Sequence, residues 1–366
     1  MTARTPLPVA AHESGEPGIE RVVIVPEPVI EGPRPLPYPN GWFALCFSDE
    51  LKRASVRTVP FMGSDLVLYR TVAGIAHAVT PYCPHLGAHL GHGGKVDGED
   101  LICPFHGLAY GPDGACVRSP FGPTPPRAAL DTWLVRERGG VLLVWRDHLG
   151  RAPDWEMPDF DATGFSPARG SCYELGGYAH DMVENSSDIR HFPHLHGFTD
   201  VAMRHEVGRH HLTIDLTARW KGVDVHLRMT SHGLGHVHGE TDVPRFGAKV
   251  ITRSYATPTA PLKWTLRWTD VMRVARIDAL PPFLRQPLYA LLAGIAHHWF
   301  VRVVRADFQI WSNRRYLARP MLAAGEDATA ALRRWMMQFY PEQPAPRNGG
   351  PILNPARPSS LQRRQS

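Results

Sequence analysis

The 366 residues are 43% hydrophobic and 20% charged, a balance that suits a soluble globular chain with room for two cores. The net charge of +5 is mild, and several arginines fall in the last residues, so nucleic-acid binding is not indicated. Five cysteines are scattered rather than paired, which points to a reducing compartment, with Cys46, Cys116 and Cys172 as free thiols, rather than to a disulfide framework.

In chain order, residues 1–37 are rich in proline and glycine and read as a disordered or extended arm. From 38 to 152 the signals are short and β-like, with apolar runs over Asp65–Arg70 and Gly140–Trp145 bounded by turns. Residues 153–158 (Pro-Asp-Trp-Glu-Met-Pro) read as a linker. A second domain over 160–342 is expected to carry a helix from Gly177 to Phe192 and strands over His211–Trp220, Val223–His232 and Lys249–Tyr255. A long helix from about Gln286 to Trp311 and an amphipathic helix from Ala328 to Tyr340 follow. Residues 343–366 read as a disordered tail. The fold class is therefore α+β, a β-rich domain followed by a domain with an antiparallel sheet flanked by helices. Leu288 to Val304 is interrupted by His297, His298 and Arg302, short of the ~20 apolar residues a spanning helix needs. With no charged-then-apolar leader pattern, a cytoplasmic protein without a membrane anchor is expected.

The first domain holds two similar motifs, Cys83-Pro84-His85 and, 17 residues later, Cys103-Pro104-Phe105-His106-Gly107. Each offers one thiolate and one imidazole. Two such halves suit a [2Fe-2S] cluster with two sulfur ligands on one iron and two nitrogens on the other, the Rieske arrangement. A Cys2His2 zinc site is the competing reading, but such sites usually open with a cysteine pair, whereas here a histidine follows each cysteine. The glycine- and proline-shaped loops also let backbone N–H groups approach the sulfurs.

A second metal site is expected between Asp181 and Gly197, where polar residues are too dense for a core helix. His191 and His196 stand about 140° apart on an undistorted helix, and Pro193 between them breaks it, so the imidazoles can converge. With one carboxylate they make the two-histidine, one-carboxylate face of ferrous iron. His194 is the rival ligand, and Asp270, Asp278 and Asp307 are the candidate carboxylates. His236 and His238, two apart, are expected to share a strand face that lines a cavity or meets solvent. His297 and His298 are expected to pack or face solvent on the long helix.

Cys83/His85/Cys103/His106 followed by Glu184-Asn185-x-x-Asp188-x-x-His191-x4-His196 resembles the oxygenase subunits of Rieske non-haem iron oxygenases. The similarity is greatest to the cholesterol 7-desaturase and 3-ketosteroid 9α-hydroxylase group. It extends through Pro39-Asn40-Gly41-Trp42-Phe43, His232-Gly233-Leu234-Gly235, Asp307-x-x-Ile310-Trp311 and Arg334-Trp335-Met336-Met337-Gln338-Phe339-Tyr340. The resemblance implies a Rieske cluster, a mononuclear Fe(II) held by His191, His196 and Asp307, and a place near the iron for Asn185. It also implies a head-to-tail homotrimer in which Asp188 bridges His191 to His106 of a neighbouring subunit. The implied partners are O2, a hydrophobic polycyclic, steroid-like substrate to be hydroxylated or desaturated, and an external NAD(P)H-dependent reductase or ferredoxin. The chain itself shows no dinucleotide-binding glycine pattern after a strand. Other expectations are a natural-product tailoring oxygenase, by oxidative cyclisation or arylamine N-oxygenation, and an electron carrier using the cluster alone.

Overall fold

The computed structural model describes residues 19–24 and 36–341. The proposed tail at 343–366 and the remainder of the proposed arm up to residue 35 lie outside the described residues. Within that arm, Ile19–Ile24 is a strand, not a disordered segment: its run of β-branched residues pairs parallel with Arg169–Gly176.

The N-terminal half is three small antiparallel sheets. Gly41–Phe47 pairs with Val141–Arg146, which pairs with Val135–Arg138, so the last strands of this half close back on its first. Ser55–Phe61, Ser64–Arg70, Ala76–Val79 and Thr132–Trp133 form the second sheet. Lys95–Asp97, Asp100–Ile102, Ala109–Tyr110 and Cys116–Arg118 form the third. Alternate residues of these strands point to one side, and Phe43, Leu45, Phe61, Leu68 and Leu142 fill a core between sheets.

The C-terminal half is one eight-stranded sheet. Its spatial order is Ile19–Ile24, Arg169–Gly176, Lys263–Val274, Ala248–Ala260, His236–Val243, Val223–His232, His211–Trp220, Phe198–Val207. From Lys263–Val274 to Phe198–Val207 it is a meander of sequence neighbours. The helices are α1 (Asp181–Ser187), α2 (His191–His196), α3 (Ala275–Asp278), α4 (Pro282–Asn313) and α5 (Asp327–Met336). Leu175, Trp264, Leu266, Val301, Phe308, Trp311, Leu332 and Trp335 form the core between sheet and helices. By length and composition alone α4 would also cross a membrane; its C-terminal part buries Asp307, Phe308 and Trp311 in this core.

The helix expected over Gly177–Phe192 is two helices. It breaks at Asp188–Arg190, upstream of the proline expected to break it. Asp188 has extended backbone (φ −85°, ψ 99°), and its Oδ1 accepts the Arg190 N–H at 2.9 Å. That local side-chain bond competes with the helical one. Pro193 falls in the first turn of α2, where a missing N–H costs little.

The two halves are bolted together. Asn40 N–H donates to Phe339 O (2.6 Å), Gly63 N–H to Thr259 O (2.8 Å), and Thr257 Oγ1 to Ala44 O (2.6 Å). Trp42, Phe47, Val141 and Leu143 share one buried cluster with Met157 and Tyr255. Gly235 packs its α-carbon against this joint: a β-carbon there would collide with the Trp42 carbonyl oxygen.

Candidate functional site

Cys83 and Cys103 head two loops with the same backbone plan. Gly87 N–H bonds Cys83 O (2.9 Å) and Cys83 N–H bonds Ala88 O (2.9 Å); Gly107 N–H bonds Cys103 O (3.1 Å) and Cys103 N–H bonds Leu108 O (2.8 Å). Both turns need a left-handed glycine, Gly87 at φ +74° and Gly107 at φ +65°. Each loop caps a hairpin: Tyr82 bridges His89 below the first, and Asp100–Ile102 pairs Ala109–Tyr110 below the second.

Both cysteines are buried, and the rings of His85 and His106 stand edge to face with centroids 4.8 Å apart. Burial pushes the Cys103 thiol up, while backbone N–H groups of Phe105 and His106 act in the opposite direction. The Tyr110 hydroxyl lies 3.0 Å from Cys83 Sγ. Buried sulfurs met by N–H and O–H groups, facing two imidazoles, fit a cluster whose sulfurs are hydrogen-bonded and whose histidines reach the surface. Phe105 and Phe121 stand against the His106 ring, with centroids 3.8 and 6.1 Å away, and Leu86 follows His85; all three are 61–70% exposed.

In the other half, one ligand atom each from His191, His196 and Asp307 lies within 4.8 Å of the other two. His196 Nε2 is 3.3 Å from Asp307 Oδ2. Helix α2 presents the two imidazoles and α4 the carboxylate. Burial lowers the His191 pKa, partly offset by Asp307, so the ring is held neutral, as a ligand must be. Its Nδ1 lies 2.5 Å from the Asp188 carbonyl oxygen, which turns Nε2 toward the triad. Asp307 is 2% exposed, and its Oδ1 has no hydrogen-bond partner. A buried carboxylate oxygen left bare beside two imidazoles fits a cation.

His194 is exposed and is not among the residues whose ligand atoms converge. The other candidate carboxylates are engaged elsewhere: Asp278 with Tyr289 and Arg273, and Asp270 with Thr252, Trp268 and His297. Asn185 Nδ2 lies 3.2 Å from His191 Nε2, at the metal-facing edge of that ring. The Asp188 carboxylate is 40% exposed and stands 4.0 Å from His191 Nδ1; only its backbone oxygen makes the short contact. Beside it, Glu184 is clamped by Arg314 and Arg333 and held below its usual range against the cost of burial.

The triad opens on a mostly apolar cavity between sheet and α4, walled by Phe192, Leu227, Met229, Trp268, Trp299 and Phe300. Val237 and Gly239 face this cavity, so His236 and His238 do not. They share a strand face, as expected, but it is the opposite one, buried beneath Phe160, whose ring stacks on His238 at 4.0 Å. His297 packs on the long helix, as expected, and there it is the middle member of a polar chain, Ser171–His297–Asp270. No spacing signal marks that chain in the sequence.

Residues 144–340 match the family model described as 3-ketosteroid 9alpha-hydroxylase C-terminal domain, and 41–133 match the Rieske [2Fe-2S] domain. Cholesterol 7-desaturase nvd of Bombyx mori is 32% identical over 337 residues, covering 84% of this chain and 71% of the relative. The oxygenase component of 3-ketosteroid-9-alpha-monooxygenase from Mycobacterium tuberculosis is 25% identical, covering 84% and 83%. Among solved structures, dicamba monooxygenase bound to 3,6-dichlorosalicylic acid superposes with TM-score 0.68 at 18% identity, covering 82% of this chain and 96% of that one. Pseudomonas putida CBB5 NdmA with caffeine gives TM-score 0.65 at 19% identity, covering 81% and 89%. These two similarities establish the α+β fold.

Proposed function

The chain belongs to the Rieske oxygenases of the 3-ketosteroid 9α-hydroxylase and cholesterol 7-desaturase group, and from that membership we propose that it hydroxylates or desaturates a steroid. It is an oxygen-using oxidoreductase with a Rieske [2Fe-2S] domain. The observation that carries the reading is the bare, buried Asp307 oxygen beside His191 and His196 at the end of an apolar cavity. Cys83, His85, Cys103 and His106 hold the cluster, and His191, His196 and Asp307 hold a mononuclear iron. When bound, these centres supply one-electron transfer and activation of O2.

The chain's own residues prepare the ground for that chemistry. The Asp188 carbonyl fixes the His191 tautomer, and Asn185 occupies the metal-facing edge of the same ring. Met182, Phe192, Trp299 and Trp311 keep water from the cavity and bury an apolar substrate by contact rather than by charge.

We further propose a division into 38–152 and 160–342 and a head-to-tail homotrimer. The half-exposed Asp188 carboxylate and the His106 edge then meet across subunits, and electrons come from a separate NAD(P)H-dependent reductase or ferredoxin. A cytoplasmic location belongs to the same reading.

The test is O2 uptake by purified enzyme with a ferredoxin–reductase pair, NADH and a panel of steroids, with product identified by mass spectrometry. Steroid-dependent uptake with a product 16 mass units heavier or 2 lighter is expected. Uptake stimulated by no steroid in the panel overturns the substrate class.

A further inference from the structure

Behind the cavity wall, three side chains converge on one buried carboxylate. Thr252 Oγ1 donates to Asp270 Oδ1 at 2.6 Å, Trp268 Nε1–H donates to Oδ2 at 2.7 Å, and His297 Nδ1 lies 2.7 Å from the same Oδ2. On the far side of the imidazole, Ser171 Oγ lies 2.7 Å from His297 Nε2. Indole N–H can only donate, and a carboxylate with three donors around it acts as acceptor throughout. Ser171 O–H to Nε2 and Nδ1–H to Oδ2 then complete a chain of one polarity, which assigns the tautomer. The order Ser–His–Asp is that of a hydrolase triad, but Ser171 is 0% exposed and reaches no ligand, so it is no nucleophile.

What the chain does is fix a proton. Thr252 and Trp268 line the cavity, while Asp270, His297 and Ser171 stand behind them. A threonine hydroxyl has one proton and two lone-pair sites. With its proton given to Asp270, Thr252 offers the cavity lone pairs only. The strand neighbour directly across from Thr252 is Gly239, also in the cavity wall, so no side chain covers the hydroxyl from that side. The hydroxyl of Ser186, another cavity residue, donates its proton to the Val183 carbonyl.

We propose that Thr252, oriented by Asp270, is a specificity residue that accepts a hydrogen bond from a substrate hydroxyl and rejects a carbonyl at the same place. This rests on the steroid reading and sharpens it: a hydroxysteroid is preferred to the corresponding ketosteroid. The two classes are those in the names of the relatives, since cholesterol carries a hydroxyl where a 3-ketosteroid carries a carbonyl. A ketone oxygen placed against Thr252 sets acceptor against acceptor and leaves both groups unpaired away from water.

The experiment measures binding of 5α-cholestan-3β-ol and 5α-cholestan-3-one to the holoenzyme by equilibrium dialysis. The two probes differ only at the polar group. The alcohol is expected to bind roughly tenfold more tightly, the scale of one lost buried hydrogen bond. Thr252→Val, which keeps the shape and removes the hydroxyl, should bring the two affinities together. Asp270→Asn, whose amide can donate to Thr252 and free its proton for a ligand, should turn the preference toward the ketone. A purely structural role for Asp270 would weaken both ligands alike. Equal wild-type affinities, or a preference unmoved by Thr252→Val, overturn the proposal and leave the steroid reading standing. Failure of both probes to bind overturns the two together.

Discussion

His191 touches three groups of different chemistry: the Asp188 carbonyl at Nδ1, the Asn185 amide beside Nε2, and the neighbouring imidazole of His196, 5.2 Å away between ring centroids. His191→Ala should lower iron from about three to about two per chain while the visible absorption of the cluster survives; metal analysis and a spectrum read both. Asp188→Asn keeps the backbone carbonyl that orients His191 and removes only the half-exposed charge. Both metal contents should therefore hold while coupled turnover falls roughly 10–100-fold, the usual cost of losing a group that supports a metal ligand. The two cluster motifs and the histidine pair were legible in the sequence because their spacing is short and local. The choice among Asp270, Asp278 and Asp307 on residue chemistry was not. All three are buried or paired, and what separates them is which oxygen is left bare. Ser171, His297 and Asp270 lie far apart in sequence, 126 and 27 residues between successive partners, so nothing local announced them.

At the scale of elements, period-2 patterns placed His211–Trp220 and Val223–His232 on their observed boundaries, because each has one buried face. The helix before the metal site was less legible. Its true break depends on one side-chain bond, Asp188 to the Arg190 N–H, which competes with a helical pattern that otherwise runs on. The turn His232-Gly233-Leu234-Gly235 read as a family signature, and its physical reason is now visible. Gly235 lets the turn between two sheet strands approach the Trp42 backbone of the other half. Gly235→Ala should cost about 1–3 kcal/mol by overpacking, read as a lower urea midpoint. The cluster spectrum should persist in the folded fraction.

The whole molecule is also expected to be acid-sensitive through its histidines. Burial holds His232 down to about 4, pushes His236 well below the ordinary value, and lowers His238. In the unfolded chain these rings take up protons near pH 6.5, so the unfolded state binds more protons as pH falls below that value. The stability from these depressed pKa values is therefore present above about pH 6.5 and lost on acidification toward 4. Stability should fall between pH 7 and 5, by up to about 1.4 kcal/mol per pH unit for each fully neutral ring, read as a lower melting temperature. His232→Gln should flatten that slope if the ring is its source.

The exposed apolar side chains Leu86, Phe105 and Phe121 beside the cluster imidazoles have a consequence for traffic with other proteins. A surface of that kind recruits by expelling water, which dissolved salt strengthens rather than screens. Electron delivery to this face should therefore hold or quicken between 50 and 300 mM sodium sulfate, where a charge-steered encounter would slow severalfold. Stopped-flow reduction of the cluster across that range would tell a grease-sealed handshake from an ionic one.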